Sequence, residues 1–126
     1  MKTNYSKHWY FAHSKAIYNT PLENSMHRVL CTILQNVVCP NKDMDELGAM
    51  KPHLNRVKEC YGVVVAEFRG TLGKDAYEEV KHALELDKPV IALRRNSKNK
   101  VILIGVDGVI LLDPNSWKEG YGKLVV

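Results

Sequence analysis

The sequence predicts an α/β domain: a mostly parallel sheet with helices on both faces and a C-terminal β-hairpin. Three observations lead there. Apolar runs of strand length alternate with segments of helical periodicity along the whole chain. Two runs, GVVVAEF at 62–68 and PVIAL at 89–93, are almost continuously apolar, as strands covered on both faces are. Asp107-Gly108 stands between 101–106 and 109–112, the turn pair that closes a two-residue hairpin.

Each element has its own reason. HWYFAH at 8–13 is aromatic and apolar enough for a first strand, which runs into a polar loop at 14–20. Thr20-Pro21-Leu22-Glu23 opens a helix: Thr20 caps, Pro21 suits the first helical position, and Glu23 completes a capping box. Leu22, Met26, Val29, Leu30, Ile33 and Leu34 recur at helical spacing and predict one buried face. Val37-Val38-Cys39, stopped by Pro40, reads as a short second strand. Residues 44–60 read as a helical turn interrupted at Gly48, then a second helix from about Pro52 with Leu54, Val57 and Lys58. The next helix spans 75–86, with Asp75 and Glu78 at capping-box spacing and Ala76, Val80, Ala83 and Leu84 facing inward. The tail from 113 onward, with Trp117 and Tyr121, reads as mostly irregular, its aromatics packing on the sheet.

Composition narrows the function classes. The 126 residues fit a single domain, 1–126, and 25% charged with 45% hydrophobic residues excludes intrinsic disorder. No apolar run is long enough for a membrane span, and MKTNYSKHWYFAHS has no apolar signal-peptide core, so a cytoplasmic protein is expected. Cys31, Cys39 and Cys60 show neither CxxC nor CxH spacing, so reduced thiols are expected. No cluster of His, Cys and carboxylate stands at ligand spacing, so neither a metal nor any other cofactor is expected. The net charge of +4 is ordinary solubility, and no aromatics interleave with the basic cluster Arg94, Arg95, Lys98 and Lys100, so a nucleic-acid partner is not expected.

In open parallel sheets, ligands bind beyond the carboxyl ends of the strands where strand order reverses. That rule nominates the loops at 14–20 and 68–75. In the second, Gly70 and Gly73 admit close backbone approach to an anion, and Lys74 leads into a helix N-terminus. A tight turn with both glycines at positive φ is the plainer alternative. Glu79 shares a helical stripe with Ala83 and Ala76 and can look toward the crevice, whereas Glu78 is spaced to pair with Lys81 or His82. Such a carboxylate acts as a nucleophile or stabilises an oxocarbenium ion; otherwise it complements the helix dipole. His13 would face the crevice as a phosphate contact or general acid, or close the strand as a structural histidine. Tyr18 and Asn19 are placed to stack on a base and read its edge, or simply to pack the loop. Arg94, after the fourth strand, would reach a phosphate.

The segment GVVVAEFRGTLGKDAYEEVKHALELDKPVIALRR resembles the matching stretch of the nucleoside 2-deoxyribosyltransferase-like superfamily. It is most similar to the 2'-deoxynucleoside 5'-phosphate N-hydrolase branch. Tyr10-Phe11-Ala12-His13-Ser14 also resembles that family's first strand, so the likeness covers 8–14 and 61–95. It implies a flavodoxin-like fold, a homo-oligomer, and an N-glycosidase or deoxyribosyltransferase acting on a small nucleoside or nucleotide. By the spacing to Ala83 it implies Glu79 as the nucleophile; by the Tyr77-Glu78 pair it implies Glu78. Ser14 would contact a phosphate or ribose hydroxyl, and Gly73 would lie against sugar or phosphate. Where the family has a second carboxylate, this chain has Leu54 between His53 and Asn55. Either His53 donates the proton to the leaving base, or the pocket persists with its reaction lost or changed. A non-catalytic module for a nucleotide-derived ligand and a TIR-like NAD glycohydrolase are the competing readings.

Overall fold

The computed structural model describes residues 4–44, 50–95, 98, 101–105, 109–117 and 122–125. The strands are β1 (Trp9–Ala12), β2 (Val37–Val38), β3 (Gly62–Ala66), β4 (Val90–Arg95), β5 (Val101–Gly105), β6 (Ile110–Leu112) and β7 (Lys123–Val125). The α-helices are α1 (Pro21–Leu34), α2 (Pro40–Asp43), α3 (Met50–Glu59) and α4 (Lys74–Glu85). The main sheet runs β2-β1-β3-β4-β5. Its first four strands are parallel, and β5 lies antiparallel on the β4 edge. This is the flavodoxin-like order, with the reversal of strand order between β1 and β3.

The period-two alternation of the strands divides the core in two. Tyr10, Ala12, Val63, Val65, Val90 and Ala92 point to the face covered by α3 and α4, whose Val57, Ala76, Val80 and Ala83 are buried there. Phe11, Val64, Ala66 and Leu93 point to the opposite face, against Met26 and Leu30 of α1. Helices therefore cover both faces, which is why β3 is apolar at every position.

Several local expectations change. The Thr20 hydroxyl accepts the Glu23 N–H at 3.2 Å, but the Glu23 carboxylate turns inward and accepts the Asn19 N–H instead, so only half the capping box forms. The buried stripe of α1 runs through Glu23, Met26 and Leu30, and Ile33 is 56% exposed. The helix α3 begins at Met50 rather than near Pro52, and the predicted turn around Gly48 lies outside the described residues. Pro40 does not merely stop a strand; it starts the short α2. Because α4 starts at Lys74, Asp75 is its second residue, cannot cap, and pairs with Lys15 at 2.9 Å.

Asp107-Gly108 also lies outside the described residues, among which the strands flanking it pair with other partners. The strand β5 takes the open edge of β4, Ile91 opposite Gly105 through Arg95 opposite Val101. The C-terminal antiparallel ribbon is instead β6 with β7, so part of the tail expected to be irregular is a strand. Leu124 of β7 is buried with Leu72 and Tyr77, and the Leu72 N–H donates to the Gly122 carbonyl at 2.7 Å.

Gly122 fixes how closely this ribbon sits on α4: a Cβ there would lie 2.0 Å from the Tyr77 ring. Gly122→Ala is expected to lower stability by about 1–3 kcal/mol through overpacking. Gly70→Ala, at φ +74 in open space, is expected to cost only about 1 kcal/mol in backbone strain. Denaturant midpoints of the two variants check the order.

Candidate functional site

At the reversal of strand order, the chain leaves β1 through Ser14, makes one 3-10 turn at Lys15–Ile17, and reaches Tyr18 and Asn19. It leaves β3 through Glu67 and Phe68. Among the described residues, two clefts open here. One of about 290 Å³ is lined by Ser14, Ala16, Phe68, Arg69, Thr71 and Gly73, residues of the two nominated loops or at their margin. The other, about 440 Å³, shares Phe68 and Arg69 and extends past Gly70 to Glu67, Arg94, Leu22 and Met26.

The loop expected to cradle an anion is closed on itself. Arg69 (φ 56) and Gly70 (φ 74) both take left-handed conformations. Phe68 and Thr71 exchange N–H···O bonds of 3.0 and 3.2 Å, the pattern of a two-residue hairpin turn. The N–H groups of Phe68, Thr71 and Leu72 are thus already bonded, and Gly73 has an ordinary negative φ of −66°. Gly73 does approach the first loop: a Cβ there would stand 3.6 Å from Ser14 Oγ. Ser14 Oγ accepts the Ala16 N–H at 3.1 Å, a bond that leaves its O–H as a donor. Lys74 is exposed at the start of α4. Arg94 lines the larger cleft, but its Nε donates to Glu67 and its Nη2 to the Leu124 carbonyl at 3.0 Å. Its charge is matched within the chain.

Glu79 lies beneath the sheet rather than in either cleft. It is 3% exposed and accepts from the Tyr10 hydroxyl. His53 Nδ1 stands 2.8 Å from Tyr10 Oη and 3.4 Å from Glu79 Oε2. Strand β1 and helices α3 and α4 thus bring three polar side chains to one buried point. Burial pushes the Glu79 carboxyl above the usual carboxylate range, against the hydrogen bonds from His53 and Tyr10. Burial, reinforced by the Glu79 charge, raises the phenols of Tyr10 and Tyr18. Glu78 turns outward to a shallow depression of about 230 Å³ with Leu54, Lys81, His82 and Glu85. Tyr10 escaped the sequence reading, although its alternation with Ala12 puts it on the α4 side of β1.

A second polar cluster occupies the opposite face. His13, expected at the crevice, is 2% exposed, stacks on Phe11 at 4.0 Å and lies under Tyr18 at 4.9 Å between ring centres. Its Nε2 meets Glu23 Oε2 at 2.5 Å, and its Nδ1 donates to the Phe11 carbonyl at 2.9 Å. Glu23 Oε1 accepts the Asn19 N–H and Asn41 Nδ2, both at 2.9 Å. The Cys39 thiol donates to Asn41 Oδ1 at 3.2 Å. Asn19, placed by the sequence to read a base, is tied to this cluster through its backbone and through Asn41 Nδ2 at 3.4 Å. Burial holds His13 below its ordinary pKa despite Glu23. Burial would raise Glu23, but the hydrogen bonds from Asn41, Asn19 and His13 together lower it.

The donor atoms of His13, Glu23 and Cys39 all lie within 4.8 Å of one another. The fold thus brings together a His, a carboxylate and a Cys that stand at no ligand spacing in the sequence. They are 10 and 16 residues apart and come from three separate elements, so no spacing motif reports them.

Fold and clusters define a flavodoxin-like α/β protein whose buried His/Glu/Cys group has the character of a ligand- or metal-binding site. No protein-family model, no curated protein and no solved structure matches the chain. No described helix is long and apolar enough to cross a membrane.

A carboxyl whose pKa is raised by folding contributes stability that is full below its unfolded value and lost as pH rises through the folded one. Wild type is therefore expected to lose stability relative to Glu79→Gln as pH rises above the ordinary carboxylate range. Tyr10, His53 and Asp75 are the titratable groups acting on that carboxyl. Paired denaturation curves at increasing pH measure the difference.

Proposed function

We propose that the chain cleaves or transfers at the N-glycosidic bond of a small nucleoside or nucleotide, using Glu79. The observation behind this reading is a carboxylate withdrawn from water and oriented by two side chains, Tyr10 and His53. The resemblance at 8–14 and 61–95 supports it. In water a carboxylate interacts weakly with a developing positive charge; in a dry, preorganised site the same charge stabilises an oxocarbenium ion far better. Glu79 attacks the anomeric carbon or stabilises its charge. The carbon–nitrogen bond breaks with its electron pair going to the base, which takes a proton supplied by His53. Water or a second base then attacks the anomeric carbon, its proton returning to His53, and frees Glu79. Tyr10 holds the carboxylate in register. The substrate enters from the cleft between the 14–20 and 68–73 loops, where Ser14 and Gly73 meet sugar or phosphate and Tyr18 stacks on the base. Because Glu79 is covered, the reaction requires an opening from this cleft to the carboxylate.

That covering also favours a second reading, a module that binds a nucleotide-derived ligand without chemistry, since neither cleft reaches Glu79.

The deciding measurement is free-base release from deoxynucleoside monophosphates, nucleosides and NAD. Wild type is expected to release base from at least one. Glu79→Gln is expected to lower the rate by about 10³-fold or more, and His53→Gln by about 10²-fold. Glu78→Ala is expected to leave it unchanged. Release that survives Glu79→Gln overturns the assignment. No release, together with a ligand-dependent rise in melting temperature, selects the binding module.

A further inference from the structure

We propose that His13, Glu23 and Cys39 bind one divalent transition-metal ion of borderline softness, with zinc the best fit. An imidazole nitrogen, a carboxylate oxygen and a thiol sulfur within 4.8 Å of one another are the mixed donor set zinc takes. This site lies on the opposite face of the sheet from Glu79, and its three ligands take no part in the glycosidase reading, although both clusters border the 14–20 loop.

The protonation geometry supports it. A carbonyl only accepts, so the 2.9 Å bond to Phe11 puts the hydrogen of His13 on Nδ1. His13 Nε2 then points at Glu23 Oε2, 2.5 Å away, so the two atoms converge on one spot. A metal held between them needs the nitrogen–oxygen separation to open to about 3.3 Å, given bonds of about 2.0–2.2 Å in a tetrahedral shell.

The surroundings resemble the outer shell of a metal centre, in which the second ring nitrogen of a ligating histidine donates to a carbonyl and the carboxylate is itself hydrogen-bonded. His13 Nδ1 does the first, and Asn19 and Asn41 do the second for Glu23 Oε1. Asn41 also accepts from the Cys39 thiol and so tethers two of the three ligands.

On binding, the thiol proton of Cys39 passes to solvent, with any proton on His13 Nε2 or Glu23, and the metal binds neutral imidazole, carboxylate and thiolate, with Asn41 Oδ1 or a water in the fourth position. Because the ligands bind deprotonated, uptake strengthens as pH rises. The three ligands are 0–2% exposed, and neither cleft at the sheet edge is lined by any of them. The ion therefore clips together the end of β1, the first turn of α1 and the end of β2, and its effect is on stability.

Cobalt(II) titration of the reduced chain tests this. Expected are one equivalent bound, a thiolate-to-cobalt charge-transfer band, displacement by zinc, and a higher melting temperature with zinc. Cys31→Ser is expected to retain the band and Cys39→Ser to lose it; Glu23→Gln is expected to weaken binding at least about tenfold. Circular dichroism of each variant reports its fold. No stoichiometric uptake by wild type overturns the proposal. So does a band that survives Cys39→Ser and disappears in Cys31→Ser, because exposed Cys31 sits 3.5 Å from His27 and offers a surface site. If Cys39→Ser does not fold, X-ray absorption of the zinc-loaded wild type decides. One sulfur with nitrogen and oxygen neighbours supports the site, and a shell without sulfur or with two sulfurs overturns it.

Discussion

Both buried polar clusters depend on β1. It is a four-residue strand clamped between β2 and β3, Trp9 opposite Val37 and Gly62 and Tyr10 opposite Val38 and Val63. That register sends Tyr10 to one face, to meet Glu79 and His53. It sends Phe11 to the other, where His13 follows at the strand end and meets Glu23. A slip of one residue would exchange the faces and leave buried carboxylates on both sides without their donors. An unpartnered charge in such a place costs several kcal/mol, so the two clusters themselves select the register.

The same pressure explains why Glu23 abandons half of a capping box. On an exposed helix start, its carboxylate would reach back to the Thr20 N–H. Here the α1 start is pressed against the end of β1, and that carboxylate instead takes the Asn19 N–H, Asn41 and His13. Three donors to a buried charge outweigh one to an exposed one. The 68–71 turn shows the opposite economy. With Arg69 and Gly70 both at positive φ, the backbone satisfies its own N–H groups, and no cradle for an anion is left at Phe68 and Thr71.

The parallel sheet and its helices were legible because burial on two faces leaves a direct mark: β3 is apolar at all five positions. The crevice was legible too, since the smaller cleft is lined by residues after β1 and after β3. The inward turn of Glu79, rather than Glu78, follows the Ala76–Ala83 stripe. A C-terminal antiparallel ribbon was legible but its strands were not, because turn chemistry is local whereas β5 takes the open edge of β4 and β6 pairs with β7. Ile33 misled because a helical spacing fits two adjacent stripes, and only the sheet decides which one it covers.

Sequence by itself determined what repeats with a short period: strands from alternation and apolar runs, helices from the 3.6-residue stripe, and from their alternation the α/β class. Tertiary structure alone decided which polar residues meet. Tyr10, His53 and Glu79 lie up to 69 residues apart, and His13, Glu23 and Cys39 come from a strand end, a helix start and a second strand end. Such pairings have no period in the chain. They exist because the sheet brings distant segments together and a buried polar atom must find whatever partner is within reach.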